Sequence, residues 1–309
     1  MKRGFVLIST LALIVILSFL VLIISRTIYT DTLRTTFYAE SMEKRIQIIN
    51  YESLLVDLLI DNSTLNRNLL FAENEINLIL KDKFDGLSVS IEDYSTCFNL
   101  NSLVKPFQNI YIKNEVHGEL FENFLELSQV EKIYHNELIN RLYDAIDTDS
   151  LPETYGAEDL FYVSNEELSL SPDDLFIHKS QIKNLQTLNN NLFQIYDDIC
   201  ALPENEIKFN INSLSIDNAK VFLSLFPDIT LKEVELIILN RPENGYVTLK
   251  NLTDYTNIDS EKLNKSFIIF KPEFIKIKYM LQLENQMFNF ISLLKLQRNN
   301  FVVYRTISV

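Results

Sequence analysis

Between Phe5 and Ile24 the chain reads FVLISTLALIVILSFLVLII, an uncharged stretch in which only Ser9, Thr10 and Ser18 are polar. At about 1.5 Å per residue a helix of this length reaches roughly 30 Å, the depth of a bilayer core. Lys2 and Arg3 precede it, so the positive-inside rule puts the N-terminus in the cytoplasm and the rest of the chain outside. A cleaved secretory signal has a shorter apolar core, about 7–15 residues, followed by a small-x-small site. Here Ser25-Arg26-Thr27 follows a longer run. The reading is a retained, single-pass anchor.

Charge and residue counts narrow the remainder. Lys and Arg number 28 against 42 Asp and Glu, a formal net charge of -14 over 309 residues. Nucleic-acid binding needs a basic surface, so the expected partners include no nucleic acid. The five glycines, Gly4, Gly86, Gly118, Gly156 and Gly245, are too scattered for any Gly-rich phosphate loop. His117, His135 and His178 do not form an HExxH site, and Cys97 and Cys200 are too few for a cysteine-rich zinc module.

A basic leader ending in Gly4, then Phe5 and an unbroken apolar run, resembles the class III signal of type IV pilin-like proteins. The resemblance implies that a prepilin peptidase cuts between Gly4 and Phe5 and that the new N-terminus is methylated. Most pilins carry Glu at the fifth mature position, which here is Ser9. A subunit without that carboxylate lacks one contact to its neighbour in the fibre. Beyond the anchor, residues 26–80 contain no Gly or Pro, and Ile46, Ile49, Leu54, Leu58 and Leu59 recur at roughly helical spacing. The pattern predicts an amphipathic stalk helix and a second helix, with a break near Asn62-Ser63.

Leu87, Val89 and Ile91 alternate with polar residues and predict a strand. Outside the cytoplasm two cysteines are most simply one disulfide, with two buried free thiols as the alternative. The segment from Tyr143 to Leu175 holds ten acids and no Lys or Arg. Such density costs repulsion unless water or a cation screens it. Asp147-Thr-Asp149 and Glu158-Asp159 flank a turn at Pro152 and Gly156 and offer hard oxygen ligands of the kind Ca²⁺ takes from flexible loops. Solvated acidic loops and a paired-carboxylate hydrolase are the other readings of the same residues.

Six blocks in order resemble the type II secretion minor pseudopilin K (GspK) family. These are the Gly4-Phe5 junction, Cys97-Phe-Asn-Leu-Asn-Ser-Leu103, Asp144-Ala-Ile-Asp-Thr-Asp149, Gly156-Ala-Glu-Asp159 with Tyr162, Cys200-Ala-Leu-Pro203, and Asn210-Ile-Asn-Ser213. Ala145 where the family has Trp, Ser213-Leu214 in place of Thr-Ala, and Asp174-Leu175 in place of an E-L-R element mark a divergent member. The resemblance implies calcium bound at Asp147, Asp149, Glu158 and Asp159, with Asp144 capping or bracing, and it supports a Cys97–Cys200 disulfide. It also implies a non-enzymatic subunit at the pseudopilus tip that helps to start assembly and cap the fibre. Its partners would be minor pseudopilins I and J, the major pseudopilin, the inner-membrane assembly platform and the prepilin peptidase. The location would be the bacterial inner membrane, with the C-terminal domain periplasmic.

In the C-terminal third, Asn218–Phe226 and Leu231–Leu239 read as short helices, and the turn at Gly245 gives the region the look of a helix-hairpin-helix, SAM-like module. A DNA-uptake or pilus-tip component built on that hairpin is the rival reading, yet the region offers only Lys220, Lys232, Arg241 and Lys250. Ser266–Phe270, Phe274–Leu281, Phe288–Leu296 and Asn300–Ile307 predict strands that complete an antiparallel sheet, with Lys276 and Lys278 on a solvated face. The expected class is therefore α+β: a pilin-like long helix packed on an antiparallel sheet, with a large helical insertion. The segments divide as leader 1–4, membrane and assembly helix 5–25, stalk and first sheet part 26–102, insertion with acidic loops 103–260, and closing strands 261–309.

Overall fold

The computed structural model of the protein describes residues 2–61, 69, 77–78, 87–164, 170–185, 192–283, 286–297 and 300–308. Helix α1 (Lys2–Asp61) is continuous over 60 residues, about 90 Å at the usual rise. Its first half is long and apolar enough to cross a membrane and buries nothing within the chain. The helix ends beside the predicted break at Asn62-Ser63. The second helix expected after it lies outside the described residues except at positions 69, 77 and 78, which are helical.

The end of α1 distal to the anchor lies on a four-stranded antiparallel sheet of β1 (Leu87–Asp93), β8 (Phe274–Leu283), β9 (Gln286–Gln297) and β10 (Asn300–Ser308), in the order β1-β8-β9-β10. Alternation sends Val89, Ile91, Ile277, Tyr279, Leu281 and Phe290 to one face, where Ile48 and Leu55 of α1 cover them. Lys276 and Lys278 stand on the other face and both pair with Glu92 of β1. Of the apolar positions at helical spacing, Ile46 and Ile49 are exposed and Leu54 packs partly buried against the sheet, while Ile48 and Leu55 carry most of the contact. The stalk has apolar side chains on more than one face, so spacing alone did not select the face that meets the sheet.

The described residues between β1 and β8 form an insertion with its own core, centred on Phe98, Phe121, Phe124, Phe222 and Tyr246. Its elements are β2 (Phe98–Asn99), β3 (Val104–Phe107), β4 (Ile110–Lys113), α2 (Glu115–Leu127), α3 (His135–Ile146), α4 (Asp159–Ser164), α5 (Leu192–Ile195), β5 (Ile199–Cys200), β6 (Phe209–Asn210), α6 (Ala219–Leu225), α7 (Leu231–Leu239), α8 (Leu249–Thr256) and β7 (Ile268–Ile269). The predicted short helices match α6 and α7. Ser266–Phe270 does not join the sheet. Asn264 accepts the Ser266 amide and caps a 3-10 turn, and Ile268-Ile269 then pairs parallel with Phe209-Asn210. β2 and β7, on either side of residues 103–260, pair with β5 and β6 within that span.

That pairing exposes an internal repeat. Phe98-Asn-Leu-Asn-Ser-Leu103 and Phe209-Asn-Ile-Asn-Ser-Leu214 differ at one position and build the same unit, a two-residue parallel strand running into a 3-10 turn. In each turn the first Asn caps by accepting an amide, from Asn101 at 3.3 Å and from Asn212 at 3.2 Å. The second Asn latches a distant segment. Asn101 accepts the Phe176 amide and donates to the carbonyls of Phe176 and Leu202. Asn212 accepts the Tyr246 amide and donates to the carbonyls of Tyr246 and Phe270. At the second latch Gly245 has φ +69°, and a Cβ there would lie 2.8 Å from Asn212 Cγ, so glycine is required on both counts.

Candidate metal centre

The acidic segment is arranged by α3. The helix ends at Ile146 with Asp147 as its C-cap, and the Asp147 amide donates to the Tyr143 carbonyl at 2.8 Å. A carboxylate at a helix C-terminus meets the negative end of the helix dipole, so this placement needs a compensating positive charge. The chain then turns. Asp149 accepts the Leu151 amide at 2.8 Å, Tyr155 takes φ +66°, and Gly156 donates to the Glu153 carbonyl at 2.8 Å. Glu158 follows directly and its carbonyl caps the start of α4 by accepting the Phe161 amide.

This path brings one carboxylate oxygen from each of Asp147, Asp149 and Glu158 within 4.8 Å of one another. Asp149 is exposed, but Asp147 and Glu158 are each only 5% exposed. Asp147 Oδ1 and Glu158 Oε1 are buried without a hydrogen-bond partner, a state that proteins rarely tolerate. At such separations like charges repel by roughly 3–4 kcal/mol per pair at an effective dielectric of 20. Burial, then the charges of Asp149 and Asp144, pushes the Asp147 carboxyl up to about 7. Burial, then Asp144 and Asp147, pushes Glu158 up to about 8. Asp144 rises to about 6 through burial, against the Glu153 and Ala157 amides that pull it down. Among the described residues no ion pair engages Asp147, Asp149 or Glu158, and Lys113 beside them is committed to Glu153. Three carboxylates, two of them buried with an unpartnered oxygen, converge from the two ends of the loop between α3 and α4 and offer hard oxygen donors of the kind calcium takes.

Asp159, expected in the same ligand set, lies outside this trio. Its Oδ1 accepts the Ser171 amide at 3.0 Å, which ties α4 to the next loop. Asp173 was not singled out from the sequence. It takes φ +48° and its charge also acts on Glu158. Gly4 and Phe5 fall within the first turns of α1.

Cys97 and Cys200 form a disulfide with Cα atoms 5.7 Å apart, closing 103 residues. It joins two segments of the insertion and packs with Leu202 of the insertion and with Phe274 and Leu293 of the sheet. The clustering of the acids fits a ligand set better than a hydrolase pair facing across a sugar-binding groove. Around the hairpin, Lys220 pairs with Asp198 at 2.6 Å and Arg241 donates to the Leu214 carbonyl, so two of the four cations counted for the DNA reading are engaged internally.

A long N-terminal helix laid on an antiparallel sheet, interrupted by a helical insertion, defines a pilin-like protein. The fold matches the solved structure titled the GspK-GspI-GspJ complex from the enterotoxigenic Escherichia coli type 2 secretion system. The TM-score is 0.65, covering 88% of this chain and 99% of that one at 18% identity. A family model described as type II secretion system protein K matches residues 96–204. The type II secretion system protein K of Aeromonas hydrophila is 26% identical over 179 residues, 55% of this chain and 54% of the relative. That of Pectobacterium carotovorum subsp. carotovorum is 23% identical over 244 residues, 74% of each chain. The chain thus spans about half the length of the first of these relatives. These matches make the chain similar to protein K of the type II secretion system, most directly over residues 96–204.

Proposed function

We propose that the chain is a minor pseudopilin of a type II secretion system, a structural subunit without catalytic activity, anchored in the inner membrane by residues 5–25 with the rest of the chain in the periplasm. The observation that carries this reading is the fold match, over 99% of its length, to a chain solved within a complex of three such subunits. Minor pseudopilins I and J of the same bacterium are the proposed partners. Before assembly α1 sits in the bilayer; in the fibre its exposed apolar length packs against neighbouring helices, and the major pseudopilin and assembly platform receive it there. The bulky insertion and Ser9, where a shaft subunit has Glu, suit a tip that caps the fibre and helps to start its assembly.

A prepilin peptidase would remove residues 1–4, and methylation would follow at Phe5. Calcium would be held by Asp147, Asp149 and Glu158, where it supplies the positive charge that the C-terminal end of α3 and the buried oxygens need, and it stabilises the loops without chemistry. The test is co-expression of the full chain with tagged minor pseudopilins I and J, followed by purification in detergent. Recovery of all three in fixed proportion, with the chain starting at Phe5 by mass spectrometry, is the expected result. Purification of the chain alone, with Met1 intact, overturns the reading.

A further inference from the structure

Asp144 stands one turn before the three clustered carboxylates and is completely buried, at 0% exposure. Its two oxygens accept the Glu153 amide, each at 3.2 Å, and the side chain also takes the Ala157 amide. Its main-chain carbonyl accepts the Ser171 hydroxyl at 2.9 Å, and the Ser171 amide is the group that Asp159 holds. The loop fits so closely that a Cβ on Gly156 would fall 1.8 Å from Asp144 Oδ2. The loop residue held at Ala157 immediately precedes Glu158, and Asp147 lies three positions after Asp144. One buried side chain therefore fixes the distance between the two orphaned ligands.

We propose that Asp144, seated against Gly156, is a positioning residue: it sets calcium affinity by holding Glu158 opposite Asp147 and does not itself touch the ion. This rests on the calcium reading above. Its oxygens are already engaged by loop amides, whereas the unpartnered oxygens belong to Asp147 and Glu158. Asp144→Asn replaces one accepting oxygen with an NH₂ facing an N–H. Gly156→Ala pushes Asp144 off the loop while leaving every carboxylate in the sequence. Residues that orient ligands are typically worth about 10–100-fold in metal affinity.

The experiment titrates CaCl₂ into the detergent-solubilised full chain by calorimetry, with Tb³⁺ luminescence lifetimes in H₂O and D₂O counting the waters on the bound ion. Each variant should bind about 10–100-fold more weakly, the double variant no more weakly than the weaker single one, and the water count should match the wild type. Unchanged affinity in either folded variant overturns the proposal. So does a water count that rises by one in Asp144→Asn, because Asp144 is then a ligand. Circular dichroism in EGTA identifies a variant that fails to fold, and the single variant that folds then decides. A wild-type chain that binds no calcium overturns the calcium reading and this one together. Wild-type binding that Asp144→Asn shares in full overturns this one alone.

Discussion

Asn101 and Asn212 each hold two backbone segments that no strand or helix pairs. Truncating Asn101 to alanine would leave the Phe176 amide and the carbonyls of Phe176 and Leu202 buried without partners. Each orphaned group costs about 1–3 kcal/mol, and the losses do not add fully. Asn101→Ala should therefore lower unfolding free energy by roughly 2–4 kcal/mol in a urea titration, with Asn212→Ala similar. A loss below 1 kcal/mol would show that the latches carry little. Both motifs are plain in the sequence, and their near identity could have revealed the repeat. What each second Asn grips was not legible, because the gripped residues lie 34 to 101 positions away. A second residue-scale effect concerns α7. Thr230 and Glu233 form a reciprocal capping box, and Lys262 reaches Glu233 at 2.7 Å. The Lys262 ion pair, then the Thr230 hydrogen bonds, hold the Glu233 carboxyl down at about 2. A carboxyl lowered by folding stabilises above its ordinary value near 4.5 and loses that contribution as pH falls toward 2. The Tm gap between wild type and Glu233→Ala should thus be full at pH 7, shrink below about pH 4.5 and close toward pH 2. A gap that stays constant to pH 3 would assign the effect to helix packing instead.

At the scale of elements, the contact of α1 with the sheet contains a group that the apolar pattern does not explain. Glu52 sits between Ile48 and Leu55 on the same helix face, 3% exposed, with the Tyr279 hydroxyl 3.4 Å away. Taking a carboxylate out of water is costly unless strong partners repay it, and its partners here are two neutral hydroxyls, those of Ser292 and Tyr279. Glu52→Gln keeps the shape and a hydrogen bond and removes the charge. It should raise the Tm at pH 7 by a few degrees, read by thermal circular dichroism. A lower Tm would mean that the charged form is what the interface requires. The four sheet strands were legible because each alternates, and Leu87, Val89 and Ile91 all point inward as the period of two requires. Ser266–Phe270 looked equally strand-like but met Phe209-Asn210 first. Two-residue strands carry too little periodicity for a sequence reading to assign a partner. The acidic site was half legible: composition located the loops and family spacing chose the carboxylates, but only the folded path separates Asp159, tied to Ser171, from the converging trio.

In the molecule as a whole, two restraints act on different parts of one insertion. The disulfide joins two segments at its base, where they pack on the sheet, and the acidic trio lies between the end of α3 and the start of α4. Closing 103 residues removes chain entropy from the unfolded state, at most about 4–5 kcal/mol and usually less. Calcium, held as proposed, would act on the folded state, adding RT ln(1 + [Ca²⁺]/Kd), about 2.7 kcal/mol at one hundred times Kd. The two restraints share no residue and no hydrogen-bond partner, so their effects should add within about 0.5 kcal/mol. The expected set of melts is therefore specific. Calcium raises the wild-type Tm and EGTA reverses the rise. Asp149→Ala abolishes the response without lowering the Tm in EGTA, since the one local hydrogen bond it gives up, to the Leu151 amide, is offset by relief of its repulsion of Asp147 and Glu158. Cys97→Ser with Cys200→Ser lowers the Tm in both conditions and keeps the calcium response. If that double variant loses the response, the disulfide also shapes the acidic loops and the restraints are one unit; if Asp149→Ala still responds, the ion sits elsewhere.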